Sequence, residues 1–124
     1  MVVVVSAGQR HEARFVPALL ERGKVKRAGR GRPRLRPRRV AGDKGFSYPA
    51  VRSYLRRRGI GAVIPTRSDQ RRRPRFDRAA YRQRNQVERT INRLKQFRRV
   101  ATRYEKRAVH YLAVLTLASI LLWL

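Results

Sequence analysis

Apolar positions along the chain come in short blocks, separated by basic stretches rich in glycine and proline. The blocks alternate between the periods of strands and helices. Val2–Val5 is an unbroken β-branched run stopped by Ser6, Ala7 and Gly8, which predicts a buried strand with neighbours on both sides. Residues 12–22 predict a short helix with Phe15, Val16, Leu19 and Leu20 on its apolar side, ended by Gly23. A short strand is expected at Arg39–Gly42, with Asp43 at or just past its end. Ser47 is the expected N-cap of the next helix, Pro49 lies in its first turn, and Val51, Tyr54 and Leu55 mark its face up to Gly59. Ile60–Ile64 predicts another strand, closed by Pro65. Strand, helix, strand, helix, strand is the order of an α/β sheet with helical crossovers, in which functional side chains gather at strand carboxyl ends. Asp43 occupies such an end.

The later half is expected to be helical. Asp77 is placed to cap a long helix that starts near Arg78 or Ala79 and runs to Lys95, with no Gly or Pro in it. At about 100° per residue, Ala80, Val87, Ile91 and Leu94 share a core-facing stripe, and Tyr81, Arg84, Glu88 and Lys95 fall on a second stripe at its edge. That places Glu88 among cations beside the core. A connection over 97–103 leads to a last helix, about Tyr104–Trp123, apolar almost all round. Its apolar stretch is at the lower limit for a membrane span and contains His110, Tyr111, Thr116 and Ser119. A terminal helix laid against the sheet is therefore expected, not stable membrane insertion.

Charge changes the picture more than any element does. The chain of 124 residues has 33 Lys and Arg against 7 Asp and Glu, a formal net charge of +26. Self-repulsion on that scale opposes compaction and calls for a polyanionic partner, nucleic acid before an anionic membrane surface. Only Lys24, Lys26, Lys44, Lys95 and Lys106 are lysines, and arginine suits bidentate phosphate contacts. Much of this charge lies in two loops without apolar period, 24–39 and 66–78, the second including Arg71, Arg72 and Arg73. The absence of cysteine excludes a disulfide scaffold and a thiolate zinc site.

The acids are Glu12, Glu21, Asp43, Asp69, Asp77, Glu88 and Glu105. Asp43 sits at a strand end beside glycine, and Glu88 lies on a helix expected to cross that sheet. Two carboxylates near a phosphate repel one another unless a hard cation such as Mg²⁺ joins them, and two such ions about 4 Å apart could clamp a phosphodiester. On spacing alone, an ordinary ion pair of Glu88 with Arg84 or Lys95 is the better account.

Tyr81-x2-Arg84-x3-Glu88-x6-Lys95 resembles the signature of DDE transposases of bacterial insertion sequences, the IS-four/IS-five-like group. AGDKGF around Asp43, RSYLRRRGIGAVIP after it and the terminal NRLKQFRRVATRYEKRAVHYLAVLTLASILLWL resemble the same family. The likeness implies a ribonuclease H-like α/β fold, a mixed sheet flanked by helices with long C-terminal helices. It also implies an Asp-Asp-Glu triad holding two Mg²⁺ or Mn²⁺ ions, with Asp43 similar to the second Asp and Glu88 to the Glu. Tyr81, Arg84 and Lys95 match positions that contact the transposon end. The partner implied is double-stranded DNA, as transposon ends and target, in the cytoplasm and at the nucleoid, with homo-oligomerisation left open. The family's first Asp precedes the counterpart of Val2–Val5, so the expectation is a partial domain spanning 1–124, N-terminally truncated and inactive alone. An upstream-frame product or fusion would supply that Asp. One alternative is a non-catalytic basic DNA-binding protein. Arg30-Gly31-Arg32-Pro33 is the core of an AT-hook, a segment that lays arginines in the minor groove of A·T tracts.

Overall fold

The structure is a computed structural model that describes residues 2–6, 11–23, 29–32, 36–71 and 75–124. They form two compact units, 1–83 and 84–124.

The first unit is built on β1 (Arg39–Ala41), α2 (Pro49–Arg57) and β2 (Gly61–Val63), preceded by α1 (Val16–Arg22). The two strands are parallel, with Arg39, Val40 and Ala41 opposite Gly61, Ala62 and Val63. The pairing extends past both strands, because Gly61 N donates to Arg38 O and Gly42 N to Val63 O. Parallel strands need a crossover, and α2 provides it. Val51 and Leu55 on its inner face join Val16, Ile60 and Ile64 in one core, and Leu55 is wholly buried. The end of α2 follows from sequence. Gly59 adopts φ 63°, which favours a residue without Cβ. Its N–H donates to Arg56 O, and Ile60 N donates to Leu55 O at 2.8 Å. These two bonds make a Schellman closure, and Ile60 and Leu55 supply its apolar contact.

Pro17 does not disrupt the first helix. It occupies the first turn of α1, where its missing N–H costs nothing, and residues 12–15 precede it as a 3-10 turn capped by His11. Gly23 closes α1, donating to Leu19 O. At the other end of the unit, Asp77 caps α3 (Arg78–Arg82) as expected, accepting from Ala80 N.

The remaining expectations need correction. Val2–Val5 is half-buried but pairs with no strand among the described residues, and the sheet there has two strands instead of a larger mixed set. An apolar run becomes a strand only when a neighbour completes its hydrogen bonds. The long helix is two, α3 and α4 (Asn85–Lys95), separated by Gln83 and Arg84. Both separating residues keep right-handed dihedrals with shallow ψ, −21° and −26°, the values of a 3-10 turn. Like charges at Arg78 and Arg82, spaced i,i+4, and the poor helix former Asn85 weaken the helix where it tightens.

In the second unit α4 packs with α5 (Arg98–Thr102) and α6 (Ala108–Trp123). Residues 97–103, expected as a connection, thus contain a helix. Leu94, Val100, Leu115 and Ala118 are buried, whereas Val87 and Ile91 are 57% and 45% exposed. The predicted core stripe is therefore buried only at Leu94. The uniformly apolar α6 likewise leaves Val109, Leu117, Leu121 and Trp123 exposed, so it is not the buried terminal helix expected. Two short neighbours cannot cover a cylinder that is apolar on every side. Among the described residues no helix is long and apolar enough to cross a membrane.

Candidate functional site

β1 delivers Asp43 to the carboxyl end of the sheet. The residue is extended, with φ −77° and ψ −179°, and its Oδ1 accepts the Gly45 N–H at 2.8 Å. This caps a 3-10 turn over Lys44–Phe46, and Oδ2 takes no part in the cap. Glycine at 45 is what allows the approach, since a Cβ there would lie 2.9 Å from Oδ1. Gly45→Ala is expected to push the carboxylate out of its cap. The Asp43 side-chain resonances should then shift, with a loss of about 1 kcal/mol in thermal unfolding; an unmoved Asp43 would contradict the geometry.

The turn ends at Ser47, which is not the expected N-cap. Tyr48 holds that position without a side-chain bond, and Ser47 is completely buried. Ser47 Oγ donates to Gln70 Oε1 at 2.6 Å and accepts from Arg52 Nη2 at 2.8 Å, while Gln70 Nε2 donates to Ser47 O at 2.6 Å. Arg52 Nη2 also reaches Ile64 O at 2.9 Å and Pro65 O at 3.3 Å. The segments leaving the two strands are thereby tied to one another and to α2. Sequence reasoning missed this network. Ser47 and Gln70 are 23 residues apart with no period joining them, and only the fold makes them neighbours.

Glu88 stands in the first turn of α4, where a carboxylate complements the helix dipole. Its Oε1 lies 2.7 Å from Arg84 Nη2, the ion pair that the i,i+4 spacing allows. The Glu88 side chain is 51% exposed, so it is less sheltered than the predicted stripe implied. Lys95 is exposed in the last turn of α4. Tyr81 is half-buried on α3, its ring 5.4 Å from that of Phe76. Arg30, Arg32 and Arg71 are exposed, and Arg72 and Arg73 lie outside the described residues. Asp43 belongs to the first unit, whereas Arg84, Glu88 and Lys95 belong to the second.

The acids divide by partner. Asp69, Asp77, Glu88 and Glu105 each pair with an arginine, Arg67, Arg39, Arg84 and Arg99 respectively. Asp43, like Glu12 and Glu21, has no ion pair among the described residues, but it alone of these three stands at a strand exit, its Oδ1 bonded to a backbone amide. It is a carboxylate held in place with no cation paired to it among the described residues. Its exposed position and hard oxygen suit a Mg²⁺ or Mn²⁺ ligand. Glu88 offers the same hard oxygens, with its Oε1 engaged by Arg84. Among the described residues no three His, Cys, Asp or Glu side chains converge on a metal-sized site.

Asp77 has a structural role with a pH signature. The Ala80 N–H bond is the largest influence and holds its carboxyl below the ordinary value of 3.8; desolvation opposes it, and the Arg39 guanidinium adds to the lowering. A lowered folded-state value means stability that is complete above the ordinary value and is lost as pH falls through the lowered one. Asn at this position still caps a helix but neither titrates nor pairs with Arg39. Asp77→Asn should therefore melt below wild type at pH 6, with the gap closing on acidification below about pH 4. A gap independent of pH would contradict the assignment.

A small parallel strand pair among helices, with a backbone-capped carboxylate at its exit and a net charge of +26, defines the chain at this level. The family model described as "Transposase DDE domain" matches residues 1–123, and the chain belongs to that family. Neither curated proteins nor solved structures gave a match.

Proposed function

We propose that this chain is catalytic-domain machinery of an insertion-sequence transposase of the IS-four/IS-five-like group, with a ribonuclease H-like arrangement of its sheet. Its reaction is divalent-metal-dependent cleavage and strand transfer of DNA. The observation that carries the reading is Asp43, capped at the exit of β1 with no ion pair among the described residues, in a chain matched over 1–123 by the transposase DDE family. Asp43 and Glu88 are each proposed as metal ligands. When bound, Mg²⁺ or Mn²⁺ polarises the phosphodiester and activates the attacking oxygen.

The chain's own residues bind and orient. Asp43 presents its carboxylate from a capped turn, so little ordering entropy remains to be lost on binding. Arg84 and Lys95 neutralise phosphates of the transposon end, and Tyr81 packs or hydrogen-bonds beside it. Arg30, Arg32, Arg71, Arg72 and Arg73 follow the backbone of flanking duplex.

Iron-directed cleavage tests the ligand assignment. Fe²⁺ takes Mg²⁺ sites and, with ascorbate and peroxide, generates radicals that cut the polypeptide beside its ligands. Cuts are expected next to residues 43 and 88, competed by Mg²⁺ and absent from the Asp43→Ala, Glu88→Ala double variant. Unchanged cuts in that variant would overturn the reading.

The basic loops invite a second test. Replacing Arg30 and Arg32 together with alanine should weaken binding equally to A·T-rich and G·C-rich duplexes and lower the salt slope by about 2. A selective loss on A·T-rich duplex would favour the AT-hook reading of 30–33.

A further inference from the structure

We infer that Gln70 and Arg52 are positioning residues for Asp43, a clamp that fixes the carboxylate's turn to the segment leaving β2. The inference rests on the ligand role proposed for Asp43. Three turn bonds connect Asp43 to Ser47: Gly45 N to Asp43 Oδ1, Phe46 N to Asp43 O, and Ser47 N to Lys44 O. On its own such a turn is a single-turn 3-10 element with poor hydrogen-bond geometry, free to open at its far end. The far end here is Ser47, the one fully buried polar residue among those described. One carboxamide, that of Gln70, binds both its hydroxyl and its carbonyl, which fixes the residue in orientation as well as in place.

Gln70 is itself held, because its Oε1 also accepts from Arg67 N at 3.3 Å. Arg52 closes the arrangement from α2, its Nη2 shared among Ser47 Oγ, Ile64 O and Pro65 O. None of these atoms touches Asp43. Their effect on it is indirect, through the turn, and that separates a positioning role from a ligand role. A buried hydroxyl with two side-chain partners is a costly way to hold an ordinary surface turn, since every member must be satisfied at once. An apolar residue at 47 would serve packing alone. The network instead makes the position of Asp43 depend on residues 67–70, next to the exposed Arg71. The segment assigned to DNA backbone and the carboxylate assigned to the metal thus share one support.

The test uses the full chain and two substitutions at Gln70, on a loop outside the apolar core. Gln70→Ala removes both bonds to Ser47, and Gln70→Glu keeps the shape but sets a carboxylate oxygen against Ser47 O. Amide exchange is followed at Gly45 and Ser47, with Ile60 as the core reference. Both variants are expected to exchange about tenfold faster at Gly45 and Ser47, with Ile60 unchanged. Equal acceleration at all three amides would reduce the network to general stability, and no acceleration at Gly45 would remove it; either result overturns the inference. A second readout follows function. Mn²⁺ broadening of the Gly42 and Gly45 amides should need about tenfold more Mn²⁺ in Gln70→Ala. Broadening that persists in Asp43→Ala speaks against the metal reading itself, and the exchange result then decides the clamp alone.

Discussion

Asp43→Asn is expected to leave the fold intact and to remove divalent-metal binding at the exit of β1. Asparagine caps a turn about as well as aspartate, so its oxygen can still accept from Gly45 N, and thermal unfolding should move by no more than about 0.5 kcal/mol. The charge is what the substitution takes away. Loss of a partner that only orients a ligand costs roughly 10–100-fold in metal affinity. Loss of the ligand's own charge should therefore reach at least the upper end, about 100-fold, in Mn²⁺ titrations read from broadening at Gly42 and Gly45. Any Mg²⁺-dependent nicking of transposon-end duplex should disappear with it. Asp43→Ala loses the cap as well, at about 1 kcal/mol. The two variants together separate the structural role of this residue from its chemical one. Strand cleavage that survives either substitution would refute the assignment.

Leu55→Ala is expected to have the largest effect on stability. Leu55 is wholly inaccessible at the centre of the core formed with Val16, Val51, Ile60 and Ile64, and it also supplies the carbonyl that closes α2. Deleting a buried leucine costs about 2–5 kcal/mol. The whole stability of a domain is of the order of 5–15 kcal/mol. A first unit with one small core and a two-stranded sheet belongs at the low end, so loss of cooperative unfolding at 25 °C is the expected outcome in calorimetry. A fall in melting temperature of only a degree or two would show that the core depends on residues outside this cluster.

Much of the first unit was legible in the sequence, for local reasons. Gly59 and Pro65 bracket β2, Pro49 starts α2 and Asp77 caps α3; each acts within a few residues of itself, where spacing is informative. The placement of Asp43 followed from the same local logic. What escaped was set by distant neighbours. Ser47 has the composition of an N-cap, but a hydroxyl one residue too early was drawn inward by Arg52 and Gln70. The 100° phase of Val87 and Ile91 is a statement about a helix and carries no information on whether anything packs against it. The break at 83–84 has no Gly or Pro to announce it and arises from accumulated weak effects, like-charge repulsion and a poor helix former. For the candidate site, the signature positions were readable and Arg84–Glu88 formed the pair its spacing allowed. The support beneath Asp43 was not readable, because it joins parts of the chain far apart in number.

The parallel register of β1 and β2 has a consequence for how such a chain tolerates change. Ala41 lies opposite Val63, and Gly42 N still bonds Val63 O, so the height at which Asp43 leaves the sheet is set by this ladder and not by the length of chain between the strands. An extra turn of α2, or residues added to the segment before β1, would leave that height unaltered. A single residue inserted within 61–63 would reverse the facing of the strand's remaining side chains. Length variation among relatives should accordingly collect between these two strands and be excluded from them, which marks where a reporter peptide could be spliced in without disturbing the carboxylate.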